Sequence, residues 1–172
     1  MEVVRYPHPT LRYKSKPIRR VNAELRKIVE QMFENMYESE GIGLAANQVG
    51  LPLRLFLMNL QSDPQEGEEF VFINPILSRP KGSIEKEEGC LSFPEVYVNV
   101  ERAERIKVTY TSLENEETTI EADGLLARAI QHELDHLNGV LLVDHMSPVQ
   151  KVGVAGKLKR LKKQGKAQGG NS

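Results

Sequence analysis

The stretch "GLLARAIQHELDHLNG" constrains this chain most, because it calls for a helix and for a partner segment elsewhere. His132 and His136 stand four residues apart, about one helical turn, so both imidazoles project from one face and can reach one metal ion. Glu133 follows the first histidine, where it can hydrogen-bond water at that ion without coordinating, and this makes it the general-base candidate. Asp123 can cap the helix, which is expected over about 124–138, with Leu126, Ile130, Leu134 and Leu137 as its apolar stripe and Gly139 suited to its end. Catalytic divalent sites usually combine three protein ligands with an exchangeable water, so the pattern leaves one ligand to be found.

Cys90, in "EEGCLSF", is the single cysteine among 172 residues. It has no partner for an internal disulfide, and is therefore a buried small apolar group, a nucleophile or a ligand. His8, His145, Asp135 and Asp144 also carry ligand atoms, but such side chains are usually solvated. A thiolate with two imidazoles suits zinc or ferrous iron far better than magnesium or calcium. The rival assignment, a cysteine nucleophile activated by histidine, leaves Glu133 and one histidine without a part.

An apolar content of 40% and a charged content of 27% are ordinary for one soluble globular domain. The start, "MEVVRYPHPTLRYKSKP", lacks an apolar signal region, and no run approaches the roughly 20 residues of a membrane helix, so a cytoplasmic protein without a membrane partner is expected. Asn22 can cap a helix over about 23–38, with Leu25, Ile28, Val29, Met32 and Met36 at helical spacing. Strands are expected at 53–58, at 70–73 with a stop at Asn74-Pro75, at 96–100 and at 105–112. A turn at Glu114 and Asn115 and the segment "TTIEA" complete a hairpin. Without regular alternation of strand and helix, the fold class is mixed α+β rather than a doubly wound sheet.

Residues 151–172 hold seven lysines and arginines and no acid, against a net charge of -8 in the rest. Ser147-Pro148 can start a helix there with Val149, Val152, Leu158 and Leu161 as a sparse stripe, weakened by Gly153 and Gly156, before a disordered end in "GKAQGGNS". Such a segment either binds RNA or merely keeps the protein soluble. "GIGLAANQVG" lacks the GK[ST] ending of a phosphate loop and does not follow GxGxxG. Its small residues either pack a tight loop or let a substrate backbone approach, with the Gln48 amide able to donate to an oxyanion.

Three of these segments together resemble peptide deformylase: GxGLAAxQ at Gly41 to Gln48, EGCLS at Glu88 to Ser92 and QHExDHLxG at Gln131 to Gly139. The resemblance extends over nearly the whole chain. It implies mainly antiparallel sheets packed around a central HExxH helix, with an N-terminal and a C-terminal helix. Residues 1–147 would form the catalytic part, and 148–172 a basic helix and disordered end within the same domain. The implied activity removes the N-formyl group from the initiator methionine of nascent polypeptides, releasing formate. The implied ligands are Cys90, His132 and His136, with Glu133 as general base and acid, and Gln48 and the Leu91 backbone N–H as oxyanion donors. Gly43 and Gly89 would hold the substrate main chain, while Ile42, Leu125, Ala129 and the His132 ring would line the methionine pocket. One divalent ion is implied, usually Fe(II), with zinc common in preparations. The expected partners are formyl-methionyl nascent chains and the ribosome through the basic tail, and no DNA. Lys86, Tyr97 and Arg128 depart from the residues that family members often carry, which touches the pocket rim and not the metal site. Glu88 and Arg102 form either a buried pair behind the ligands or a surface pair. The alternatives are a metallopeptidase cleaving internal bonds and a ribosome-binding module with a structural metal, which would need a fourth protein ligand.

Overall fold

The apolar run ending at Met58 becomes β2 (Leu55–Met58), all four of whose residues are buried. Successive side chains of a strand point to opposite faces, so such a strand needs cover on both. Leu55 and Leu57 face α1 (Ala23–Glu38), among Leu25, Val29, Met32 and Met36. Phe56 and Met58 face α2 (Gly124–Leu137), among Ala127, Ile130 and Leu137. The strand is thus the middle layer between two helices, and Leu53 lies outside it in an isolated bridge to Lys16.

The computed structural model describes residues 1–169, with side chains as far as residue 165. After α1 come β1 (Gly43–Ala45), β2, β3 (Phe70–Lys81), β4 (Ile84–Cys90), β5 (Phe93–Arg102), β6 (Arg105–Thr111), β7 (Glu117–Asp123), α2 and α3 (Pro148–Gly169). One sheet runs β1-β2-β3-β6-β7 and a second pairs β4 with β5, every pairing being antiparallel. The mixed α+β class and the central histidine-bearing helix are therefore as expected.

Asn22 caps α1 as its position suggested, its side chain accepting from the Leu25 N–H at 2.9 Å. Asp123 precedes α2 but makes no side-chain capping bond there. The stop at Asn74-Pro75 is corrected: β3 continues through it to Lys81 by a register shift between Ile73 and Ile76, with Asn74 in the left-handed region at φ 52°. A bulge tolerates a proline that lacks its N–H, and asparagine is among the few residues that adopt such a φ readily. β1 lies in the glycine-rich stretch read as a loop, and β4 was not foreseen because "IEKEEGC" is largely polar and exposed.

The second sheet has its own apolar cover. Val96, Val98 and Val100 alternate inward along β5, joined by Phe93 one residue out of step, against Leu142, Val143, Met146 and, from α3, Leu161. Leu158 joins this cluster from α3, whereas Val149 and Val152 are 81% and 78% exposed, so the expected four-residue stripe is half correct. Both glycines are absorbed within α3. Of the expected disordered end, residues 165–169 belong to this helix and 170–172 lie outside the described residues.

Candidate metal centre and active site

α2 presents His132 and His136 one turn apart, with ring centroids separated by 5.1 Å. The end of β4 brings Cys90 to them, its Sγ 3.4 Å from His136 Nε2, and one ligand atom from each of the three residues lies within 4.8 Å of the others. Sulfur and nitrogen ligands at about 2.3 and 2.0–2.1 Å from a tetrahedral ion stand roughly 3.5 Å apart, so the cluster fits a divalent metal. His132 Nδ1 lies 3.0 Å from Glu88 Oε1; with Nδ1–H donating to that carboxylate, Nε2 is left free to ligate. Burial by itself lowers the His132 pKa, but hydrogen bonds with Cys90 and Glu88 overcome it and raise the value well above the ordinary one. Among the described residues the ligating group has three members, which is the count of an open rather than a closed site.

The other ligand candidates are engaged elsewhere. His8 Nδ1 accepts from the Thr10 N–H at 3.2 Å, His145 Nε2 lies 2.9 Å from Asp135 Oδ2, and Asp144 Oδ2 accepts from Arg12 Nη1 at 2.6 Å.

Glu133 is 5% exposed and its Oε2 has no hydrogen-bond partner. Burial, opposed by the charge of His132 and helped by that of Glu88, pushes its pKa up to about 7. β1 closes over it: a Cβ added at Gly43 would stand 2.9 Å from Glu133 Oε1 and 3.2 Å from its Cδ, so only glycine lets the backbone come this near. Gln48 follows in the next turn. Its Oε1 accepts from the Ala45 N–H at 2.9 Å, and its Nε2 donates to Ser92 Oγ at 3.2 Å and points at Cys90 Sγ at 3.6 Å.

These groups open on one cavity of about 850 Å³. Ile42, Gly43, Gln48, Gly89, Cys90, Leu91, Leu125, Ala129, His132 and Glu133 all line it, so the structure gathers every proposed site residue there except His136, which is 2% exposed and lies behind the others. The Tyr97 ring comes within 3.0 Å of where a Gly89 Cβ would stand, while Lys86 is exposed on β4.

Two features escaped the sequence reading. Residues 1–3 and Arg5 also line the cavity, strapped there by Val4 N–H to Gln48 O at 2.7 Å and Tyr6 N–H to Ser92 O at 2.9 Å. Arg128, read as a rim residue, is 7% exposed and pairs with Glu88. A guanidinium among the apolar residues of "LLARAI" is the signal that marks it, since a buried arginine needs an acid. The Glu88–Arg102 pair is the buried alternative of the two foreseen, with Arg102 Nη2 to Glu88 Oε1 at 2.8 Å and Nε to Oε2 at 3.0 Å. Arg102 also holds Asp135 Oδ2 at 2.6 Å.

Residues 1–152 match the polypeptide deformylase family. The chain is 44% identical over 163 residues to a peptide deformylase of Neisseria meningitidis, covering 95% of this chain and 96% of that one. A solved plant peptide deformylase superposes with a TM-score of 0.94 at 37% identity, over 99% of this chain and 93% of that one. One from Plasmodium falciparum gives 0.92 at 37% identity, over 96% and 98%.

Proposed function

The chain belongs to the peptide deformylase family, and on that premise we propose that it removes the formyl group from the N-terminal methionine of nascent polypeptides through the Cys90, His132, His136 and Glu133 constellation. The observation that carries this reading is the convergence, on one cavity, of three candidate metal ligands and a buried carboxylate with a free oxygen. We assign Cys90, His132 and His136 as the ligands of one divalent ion, Fe(II) in the native enzyme, with zinc suited to the same donors. When bound, that ion supplies Lewis acidity, which acidifies water and polarises a carbonyl.

The chain's own groups do the rest. Glu133 takes a proton from the attacking water, whose oxygen bonds to the formyl carbon. The Gln48 Nε2 and Leu91 backbone N–H groups receive the charge developing on the formyl oxygen. Glu133 then returns the proton to the departing nitrogen as the C–N bond breaks, so the products are formate and a free N-terminal amine. Gly43 and Gly89 let the substrate main chain approach, and Ile42, Leu125, Ala129 and the His132 ring enclose the methionine side chain. The close fit of Gly43 on Glu133 supports a narrow reaction centre that admits a formyl carbon bearing only hydrogen.

No helix among the described residues is long and apolar enough to cross a membrane. We propose that the protein meets formylated chains in the cytoplasm and that residues 148–172, appended to a catalytic part of residues 1–147, carry it to ribosomal RNA. Salt-dependent ribosome binding that survives truncation after residue 147 would exclude that role for the tail. The activity itself is tested with formyl-Met-Ala: formate release without internal peptide cleavage is expected. Cleavage of internal bonds, or turnover of acetyl-Met-Ala at a comparable rate, contradicts the reading.

A further inference from the structure

The metal ligands sit on elements whose apolar sides are buried in different places. α2, with both histidines, packs its stripe against the five-stranded sheet, whereas β4 and β5, with Cys90, pack against Leu142, Val143, Met146 and Leu161. Leu91, next to Cys90, packs into a third cluster with residues of α1, β1 and β2, and the cluster of α2 and that against Cys90 share no residue. Polar ties join α2 to the two-stranded sheet directly.

Arg128 makes the most extensive of these ties. It leaves α2 one turn before His132 and ends among three acceptors of the other sheet. Its Nη1 donates to Glu88 Oε2 and to the Val100 carbonyl at 3.0 Å, and its Nη2 donates to the Ile84 carbonyl at 2.6 Å. Glu88 stands two residues before Cys90 on β4, and its other oxygen orients His132. The guanidinium thus reaches the start of β4, its end near the thiol and the last residues of β5, at Val100, at once. A planar fork of five donors can do this, and a lysine ammonium on its single tether cannot.

We propose that Arg128 is a positioning residue for the metal centre: it clamps the cysteine-bearing strand to the histidine-bearing helix and shares Glu88 with His132. This rests on the reading of Cys90, His132 and His136 as ligands. Arg128 touches none of them in the hydrogen bonds it makes, and acts through Glu88 and the two strand carbonyls.

The test follows zinc release from the zinc-loaded, full-length protein challenged with an excess of a chromophoric chelator. Arg128→Leu is expected to release zinc roughly 10- to 100-fold faster than the parent protein, the range typical of lost groups behind metal ligands, with Arg128→Lys between the two. Ile130→Val, on the apolar face of the same helix, loosens the core without touching the clamp and is expected to release zinc at the parent rate. An Arg128→Leu protein that is folded by circular dichroism yet keeps its zinc as long as the parent overturns the proposal. If that variant does not fold, Arg128→Lys decides: accelerated release supports the clamp and the parent rate overturns it. Parent protein that retains zinc but releases no formate from formyl-Met-Ala would defeat the deformylase reading while leaving this one standing.

Discussion

Glu133 and Glu88 show how one protein sets two carboxylates in opposite states. Glu133 has a buried, unpartnered oxygen and a pKa lifted to about 7, while Glu88 accepts from Arg102, Arg128 and His132. Burial alone would raise Glu88 as well, but the hydrogen bonds from His132 and Arg102 outweigh it and hold its pKa far below the ordinary 4.5. A carboxylate with a depressed folded pKa stabilises the protein above its unfolded pKa, and that contribution is lost as the pH falls. Stability toward urea should therefore decline as the pH drops below about 4.5, and Glu88→Gln should lose about 3 kcal/mol at neutral pH while flattening the decline. Glu133 must be ionised to accept a proton, so activity should fall with pH through its pKa, and a cation at the three ligands brings that limb below pH 7. Glu133→Gln should lower formate release about 10²–10⁴-fold with metal content unchanged; full activity in that variant would remove Glu133 as the base.

At the scale of elements, α3 separates its apolar positions into those that bind the body and those that do not. Leu161→Ala should cost about 2 kcal/mol in a urea titration, whereas Val152→Ala should stay within about 0.5 kcal/mol. The same contrast explains what could be read from residues alone. α1 and α2 were legible because their apolar spacing is regular and each meets one face of the sheet. β4 was not, since one side of it faces solvent and its single buried acid, Glu88, finds its partners far along the chain. Asn74-Pro75 reads as a strand end because sequence marks a turn residue without saying whether the chain turns or, as in β3, bulges. The site was more legible than the fold: Cys90 and the two histidines have distinctive chemistry at motif spacing, but the approach of Gly43 to Glu133 and the embedding of Arg128 depend on tertiary contact.

In the whole molecule, the core divides into three apolar clusters: α2 contributes to one, Cys90 packs against the second and Leu91 against the third. The five-stranded sheet supplies β1 over Glu133, the two-stranded sheet supplies Cys90, and the helix between them supplies both histidines. Loss of the ion should accordingly loosen the join between the two sheets while leaving each one folded. The measurement that bears most directly on the centre is anaerobic purification followed by metal analysis, with formate release from formyl-Met-Ala assayed before and after exposure to air. One iron per chain, with activity proportional to iron and falling as the ion is oxidised or lost, is the predicted result. Full activity in protein that contains no metal would contradict it.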